Sequence, residues 1–194
     1  MDHVLQQIAG VIGMSCYVPL IIGIVRNKIE QSFVAFMLWA MLDIIATITT
    51  IIAGGNYWLP LSNAIGASTV AILLATKKQV AWSWVETITA ILVVVCLILW
   101  YVLGEGAGIV SSSIAVVIAS IPQMVDTYKK PWATPTIIYL VFLSANILSL
   151  VAGKSWNIEE RFYPACAVFL CLVIAAFSMR RTSVTPIDTN RGAN

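Results

Sequence analysis

Charge is what this sequence has least of. Asp, Glu, Lys and Arg make up 10% of its 194 residues, against about 25% in a soluble domain. Histidine occurs once, as His3, which argues against any histidine-based metal centre. The four cysteines, Cys16, Cys96, Cys166 and Cys171, all stand inside apolar runs. No metal-ligand spacing relates them, so they read as free thiols packed as small hydrophobes. There is no nucleophile–base pair and no ligand cluster, and the "GEGAG" ending at Gly108 follows no strand, so it is not a phosphate loop. The expectation is a non-enzyme without cofactor, metal or nucleic-acid partner. A secretory leader is missing too. "MDHVLQQIAG" carries Asp2 and His3 where a basic n-region belongs, and no small-residue cleavage pattern follows. The first apolar stretch is therefore expected to stay as a span.

What the chain has in place of charge is apolar surface. Hydrophobic residues make up 60% of it, more than one folding event hides from water. A bilayer core about 30 Å thick takes about 20 apolar residues per helix. Seven segments qualify, at about 5–25, 33–53, 59–76, 84–103, 107–128, 135–153 and 162–180. The breaks between them ("RNKIEQ", "GGNYW", "KKQ", "GEGAG", "YKKPWATP", "GKSWNIEER") have the chemistry of a membrane surface. The polar stretch 181–194 is expected as a disordered cytoplasmic tail. Arg26, Lys28, Lys77, Lys78, Lys129, Lys130, Arg180, Arg181 and Arg191 fall on one side of this arrangement, and only Lys154 and Arg161 on the other. The positive-inside rule then puts the N-terminus outside and the C-terminus in the cytoplasm. The expectation is a multi-pass protein of the plasma (inner) membrane. Six of the seven tryptophans stand at predicted helix ends, as an aromatic belt requires, and Trp39 does not.

The sequence also repeats. "YVPLIIGIVRNKIEQSFVAFMLWAMLD" superposes without a gap on "SIPQMVDTYKKPWATPTIIYLVFLSAN" at an offset of 103. Pro19 then meets Pro122, Arg26 meets Lys129, Phe36 meets Tyr139, Trp39 meets Phe142 and Asp43 meets Asn146. With one residue added, Pro60 meets Pro164. The predicted fold is all-α: seven transmembrane helices as two three-helix repeats, residues 1–80 and 106–180, joined by a linker helix in 81–105. One odd helix between the repeats leaves both in the same orientation, so the repeat is parallel.

Pro122-Gln123, followed by a short basic loop and an aromatic helix, resembles the PQ-loop motif. Two such units joined by one helix resemble the PQ-loop and SWEET-like transporter superfamily over about residues 5–180. The first copy departs from the motif, reading Pro19-Leu20. The resemblance implies alternating access by rocking of the repeats. It makes Pro19 and Pro122, with Gln123, a hinge set near the cytoplasmic ends. A static kink is the plainer reading of the prolines. Gln123 has two further readings, as a partner for backbone or a neighbouring helix, or as a residue of the interface.

Charge inside a membrane is costly and marks function. Asp43 is the one acid well inside a predicted span. Ten residues past Phe33, it lies about 15 Å in, half the depth of the core. Asn146 reaches the same depth. Trp39 and Phe142 each stand four residues earlier, on the same helix face as their polar partner. Trp39, Asp43, Tyr139, Phe142 and Asn146 are the candidate substrate-binding residues, and Asp43 is the proton-coupling candidate. The alternative for Asp43 and Asn146 is interhelical glue. SWEET-like sugar pockets use tryptophan with asparagine from the third helix of each repeat. Here Asn63 stands near the outer end of its helix and the seventh helix has no asparagine in its span. Amino-acid carriers of the PQ-loop branch, coupled through membrane acids, and nicotinamide riboside carriers share the plan. The functional expectation is an alternating-access carrier of a small polar solute (sugar, amino acid or vitamin-like), facilitative or proton-coupled. The alternatives are a receptor like the KDEL receptor, which would want a buried basic residue, and a non-transporting membrane scaffold.

Overall fold

The computed structural model describes residues 2–52, 56–80, 82–103, 105–153, 156 and 158–180. The expected tail at 181–194 lies outside the described residues. Among the described residues eight α-helices follow one another: α1 (Asp2–Val25), α2 (Phe33–Ile52), α3 (Trp58–Thr76), α4 (Trp84–Leu103), α5 (Glu105–Ala119), α6 (Ile121–Lys129), α7 (Thr136–Val151) and α8 (Ile158–Ser178). One 3₁₀ turn, Pro131–Ala133, joins α6 to the loop before α7. The described residues hold no strand. The apolar segments are thus helical, as lipid demands of a chain that satisfies its own backbone. Four stretches are long and apolar enough to cross a membrane: Val4–Val25, Trp58–Thr76, Val110–Lys129 and Arg161–Ser178. Phe33–Ile48, Trp84–Leu99 and Thr136–Val151 are shorter apolar helices.

The helix ends explain the loops. The chain leaves α1 through Asn27 at φ 53°, where the Lys28 N–H returns to the Gly23 carbonyl at 2.9 Å. It leaves α3 through Lys78 at φ 55°, with the Gln79 N–H on the Leu74 carbonyl at 2.9 Å. Both are left-handed C-terminal caps that satisfy orphan carbonyls. Asn27 tolerates the conformation, whereas Lys78 bears a strain that glycine would not. Lys77 reaches across to the Val25 carbonyl at 2.6 Å and the Asn27 side chain at 2.9 Å, so the basic ends of α1 and α3 are joined.

One sequence expectation needs correcting here. The fifth apolar segment is not a continuous helix with a proline inside it. It breaks at Ser120, so Pro122 is the second residue of α6. A proline in a helix's first turn removes a donor that has no intrahelical partner anyway. Pro19, by contrast, lies within the uninterrupted α1.

Close approaches depend on small residues. A Cβ on Gly66 would fall 2.2 Å from the Tyr17 ring, and one on Gly10 would fall 2.9 Å from the Trp58 carbonyl oxygen. These glycines let α1 lie against α3, the use of small residues expected between membrane helices. Helix α1 also packs on α7, α2 on α3 and α5, and α8 on α5 and α7, while α4 lies outside against α5 and α6. The outward faces are largely apolar. Val11 and Val18 on α1, Ile72 on α3, Ile91 and Ile98 on α4, and Leu172 on α8 are all exposed, as suits a lipid boundary.

Candidate functional site

At the centre of the bundle is a cavity of about 50 Å³, where one water needs about 10–15 Å³. Helices α1, α2, α3, α5, α7 and α8 all contribute to its wall. The residues singled out from the sequence meet there: Trp39 and Asp43 from α2, and Tyr139, Phe142 and Asn146 from α7. Asp43 is 4% exposed and Asn146 3%. Phe36, which the sequence offset of 103 sets against Tyr139, joins the same wall. The aromatic rings brace one another. Phe36 meets Trp39 edge-on at 4.9 Å, and Tyr17 meets Phe142 edge-on at 5.0 Å.

Eight of the wall residues were not singled out as site residues from the sequence, and four of them carry polar groups or sulfur. Tyr17, Asn63, Tyr163 and Cys171 reach the cavity from α1, α3 and α8. Tyr163 donates its hydroxyl hydrogen to Asp43 Oδ1 at 2.5 Å. Tyr17 donates to Asn63 Oδ1 at 3.5 Å. Asn63, read from the sequence as an outer-end residue, is thus a wall residue all the same. No local spacing announces the Asp43–Tyr163 pair, which is separated by 120 positions. The available signal was the polar side chain of Asn63 inside a span, three residues after Pro60.

Asn146 is held by its own helix. Its Nδ2 donates to the Phe142 carbonyl at 2.8 Å and lies 3.8 Å from the Cys171 sulfur. Its Oδ1 is buried and has no hydrogen-bond partner. A buried acceptor left unmatched costs about 1–3 kcal/mol, and this oxygen belongs to a residue lining a cavity with room for water or a small ligand. The indole N–H of Trp39 is taken up by the Ser120 hydroxyl at 3.1 Å, at the break between α5 and α6.

A second and larger space, about 400 Å³, opens at the lysine-rich end. Its rim includes Glu30, Lys78, Asp126, Lys129 and Lys130. Lys130 and Glu30 form an exposed ion pair at 2.6 Å, and that carboxylate raises Lys130 above the ordinary lysine range. Gln31 lines this vestibule and Tyr139 lines the central cavity. The Tyr139 hydroxyl donates to Gln31 Oε1 at 2.7 Å, so one side-chain bond stands between the two spaces.

Gln123 is fully buried beside this junction. Its Oε1 accepts the Ser32 backbone N–H at 2.9 Å, and its Nε2 donates to Thr127 at 3.2 Å. Thr127 continues to Thr134 at 3.0 Å. Ser32 precedes α2, and its hydroxyl accepts the Ala35 N–H at 3.3 Å, an N-cap. Of the readings open for Gln123, the structure takes the neighbouring segment: the amide fastens α6 to the head of α2. The opposite end of the bundle is tied differently. Gln6 donates to the Ala152 carbonyl at 3.5 Å, and Arg161 donates to the Leu150 and Gly153 carbonyls at the end of α7. Among the described residues no group of three His, Cys, Asp or Glu could hold a metal ion. Compared with known proteins, the chain matches no family model, no curated protein and no solved structure.

Proposed function

We propose that the chain is an alternating-access membrane carrier of a small polar solute. In this reading two parallel three-helix repeats, α1–α3 and α5–α8, are joined by the linker α4, with the N-terminus outside and the lysine-rich end in the cytoplasm. One observation carries the proposal. Three residue pairs related by the sequence offset of 103, Phe36/Tyr139, Trp39/Phe142 and Asp43/Asn146, all face one central cavity. A chance similarity between two segments gives no reason for matched positions to converge on the same space. The packing agrees: α1 on α3, α2 on α3 and α1 on α7 become α5 on α8, α7 on α8 and α5 on α2 when the repeats are exchanged. This supports the resemblance to PQ-loop and SWEET-like carriers, whose sites lie at the repeat interface.

The vestibule supplies one access route and the Gln31–Tyr139 bond its barrier. The form described has a small central cavity and a larger vestibule at the lysine-rich end, with the Gln31–Tyr139 bond between residues of the two walls. Rocking of the repeats would part the Gln31–Tyr139 and Gln123–Ser32 contacts on this side, and the Gln6–Ala152 contact on the other. Asp43 faces the cavity as its one carboxylate, which makes it the residue to carry a coupled proton. Uptake of labelled solutes into proteoliposomes, with and without a pH gradient, tests the reading. Saturable uptake of a small solute supports it. Its absence over a panel of sugars, amino acids, amines and nucleosides overturns it.

A further inference from the structure

Most of the hydrogen-bonding hydrogens around the central cavity are already used by the protein. Tyr17 gives its hydroxyl hydrogen to Asn63, Tyr139 to Gln31 and Tyr163 to Asp43. The Trp39 N–H goes to Ser120. The Asn146 amide hydrogens face the Phe142 carbonyl and Cys171, and the Asn63 side chain interacts with the Tyr163 hydroxyl. What is left facing the space is lone pairs: the unpartnered Asn146 Oδ1, the Asp43 carboxylate and the tyrosine oxygens. Aromatic side chains Tyr17, Phe36, Trp39, Tyr139 and Phe142 make up much of the remaining wall, and among the described residues no basic one lines it.

This wall is poor in free donors and rich in acceptors. A neutral polyol brings as many acceptors as donors and leaves its own oxygens unmatched there. A carboxylate has no cation to meet. The complement is a ligand that donates only: an ammonium or guanidinium group, positive and rich in N–H. Its charge meets Asp43, its N–H meets Asn146 Oδ1, and its body meets aromatic faces that attract cations. We propose that the central cavity takes a small organic cation bearing N–H hydrogens, with Asp43 and Asn146 as its two acceptors. This rests on the carrier reading only for the step across the membrane. The binding chemistry stands on the cavity itself. The size of the cavity limits its occupant in this form to a few heavy atoms.

The test uses the full chain in lipid nanodiscs and isothermal titration with matched probes. Ethylammonium and guanidinium at millimolar concentration are compared with ethanol and urea as neutral counterparts, acetate as an anion and tetramethylammonium as a cation without N–H. The first two are expected to bind at least about tenfold more tightly than the rest, the ratio expected from one charge-assisted hydrogen bond. Equal binding of ethanol, urea or acetate overturns the proposal. Equal binding of tetramethylammonium removes the role given to Asn146. Asn146→Leu, of similar volume, should weaken ethylammonium about tenfold, and Asp43→Asn should bring ethylammonium and ethanol together. If either variant fails to fold, the probe series on the unaltered protein still decides. Flux separates this proposal from the one it builds on. Cations bound but not moved across proteoliposomes leave the site standing and the carrier reading fallen. A neutral solute moved while no cation binds does the reverse.

Discussion

Asp43 and Tyr139 do different work in the same wall. Asp43 is buried on α2 and bonded to one hydroxyl. Asn146, facing it from α7, cannot ionise, so the pair has one titrating member. Asp43→Asn keeps shape and removes titration. The mutant is expected to exchange solute at equal concentrations but fail to accumulate it under a proton gradient. Gradient-driven accumulation at the wild-type level would remove Asp43 from the coupling role. Tyr139→Phe deletes the Gln31 bond and little else, a loss of about 1 kcal/mol. A cysteine placed at Ala167, one of the residues lining the cavity, should then label faster from the lysine-rich side. An unchanged labelling rate would mean that the barrier lies elsewhere. Gly66→Ala is expected to be severe, because its new methyl meets the Tyr17 ring. Lower thermal stability and weaker solute binding should appear together, since Tyr17 is a wall residue of the cavity.

At the scale of the element, the broken fifth segment is the informative one. A proline inside a helix costs about 3 kcal/mol, and here the helix is interrupted at the single residue Ser120, whose backbone stays in the α region at φ −80° and ψ −13°. The joint is then held from outside, by Trp39 on Ser120 and by Gln123 on Ser32. Pro122→Ala is therefore expected to fold and to allow α5 and α6 to merge. Turnover should fall while binding changes less. Unchanged turnover and cavity accessibility would leave Pro122 a structural kink. Gln123→Leu leaves the buried Ser32 N–H unmatched, at a cost of about 1–3 kcal/mol. Its loss should show as a lower melting temperature of the purified protein. The break itself was not legible beforehand. Hydropathy reports which residues prefer lipid, and it runs unbroken through Ser120. The partners that make a break tolerable come from α2, more than 80 positions away.

Over the whole molecule, labelling tests the orientation. A cysteine at Asn56 or Trp156 should react with an impermeant reagent on intact cells, and one at Lys78 or Lys130 only after permeabilisation. The reverse pattern would put the vestibule outside. The helical segments were legible because lipid leaves a chain few options: apolar runs of the right length bounded by charge fell within a few residues of the helices observed. Trp39, Asp43, Phe142 and Asn146 were legible as wall residues because depth and helix face follow from counting. Tyr17, Tyr163 and Asn63 were not, because their place depends on how helices close around a space, and that is written in glycine contacts such as Gly66 against Tyr17. The helix that lines neither space has its own consequence. Every long helix but α4 reaches the central cavity, and α4 supplies nothing to the vestibule either. Its buried side is a narrow stripe of Glu86, Thr89, Val93 and Cys96. In the two-repeat reading α4 is then a matter of parity, not of walls. Three crossings invert a chain and a fourth restores it, so any apolar helix carrying that stripe should serve. Two halves split beside α4 and made as separate polypeptides should find each other in the membrane, provided the fourth crossing travels with one of them.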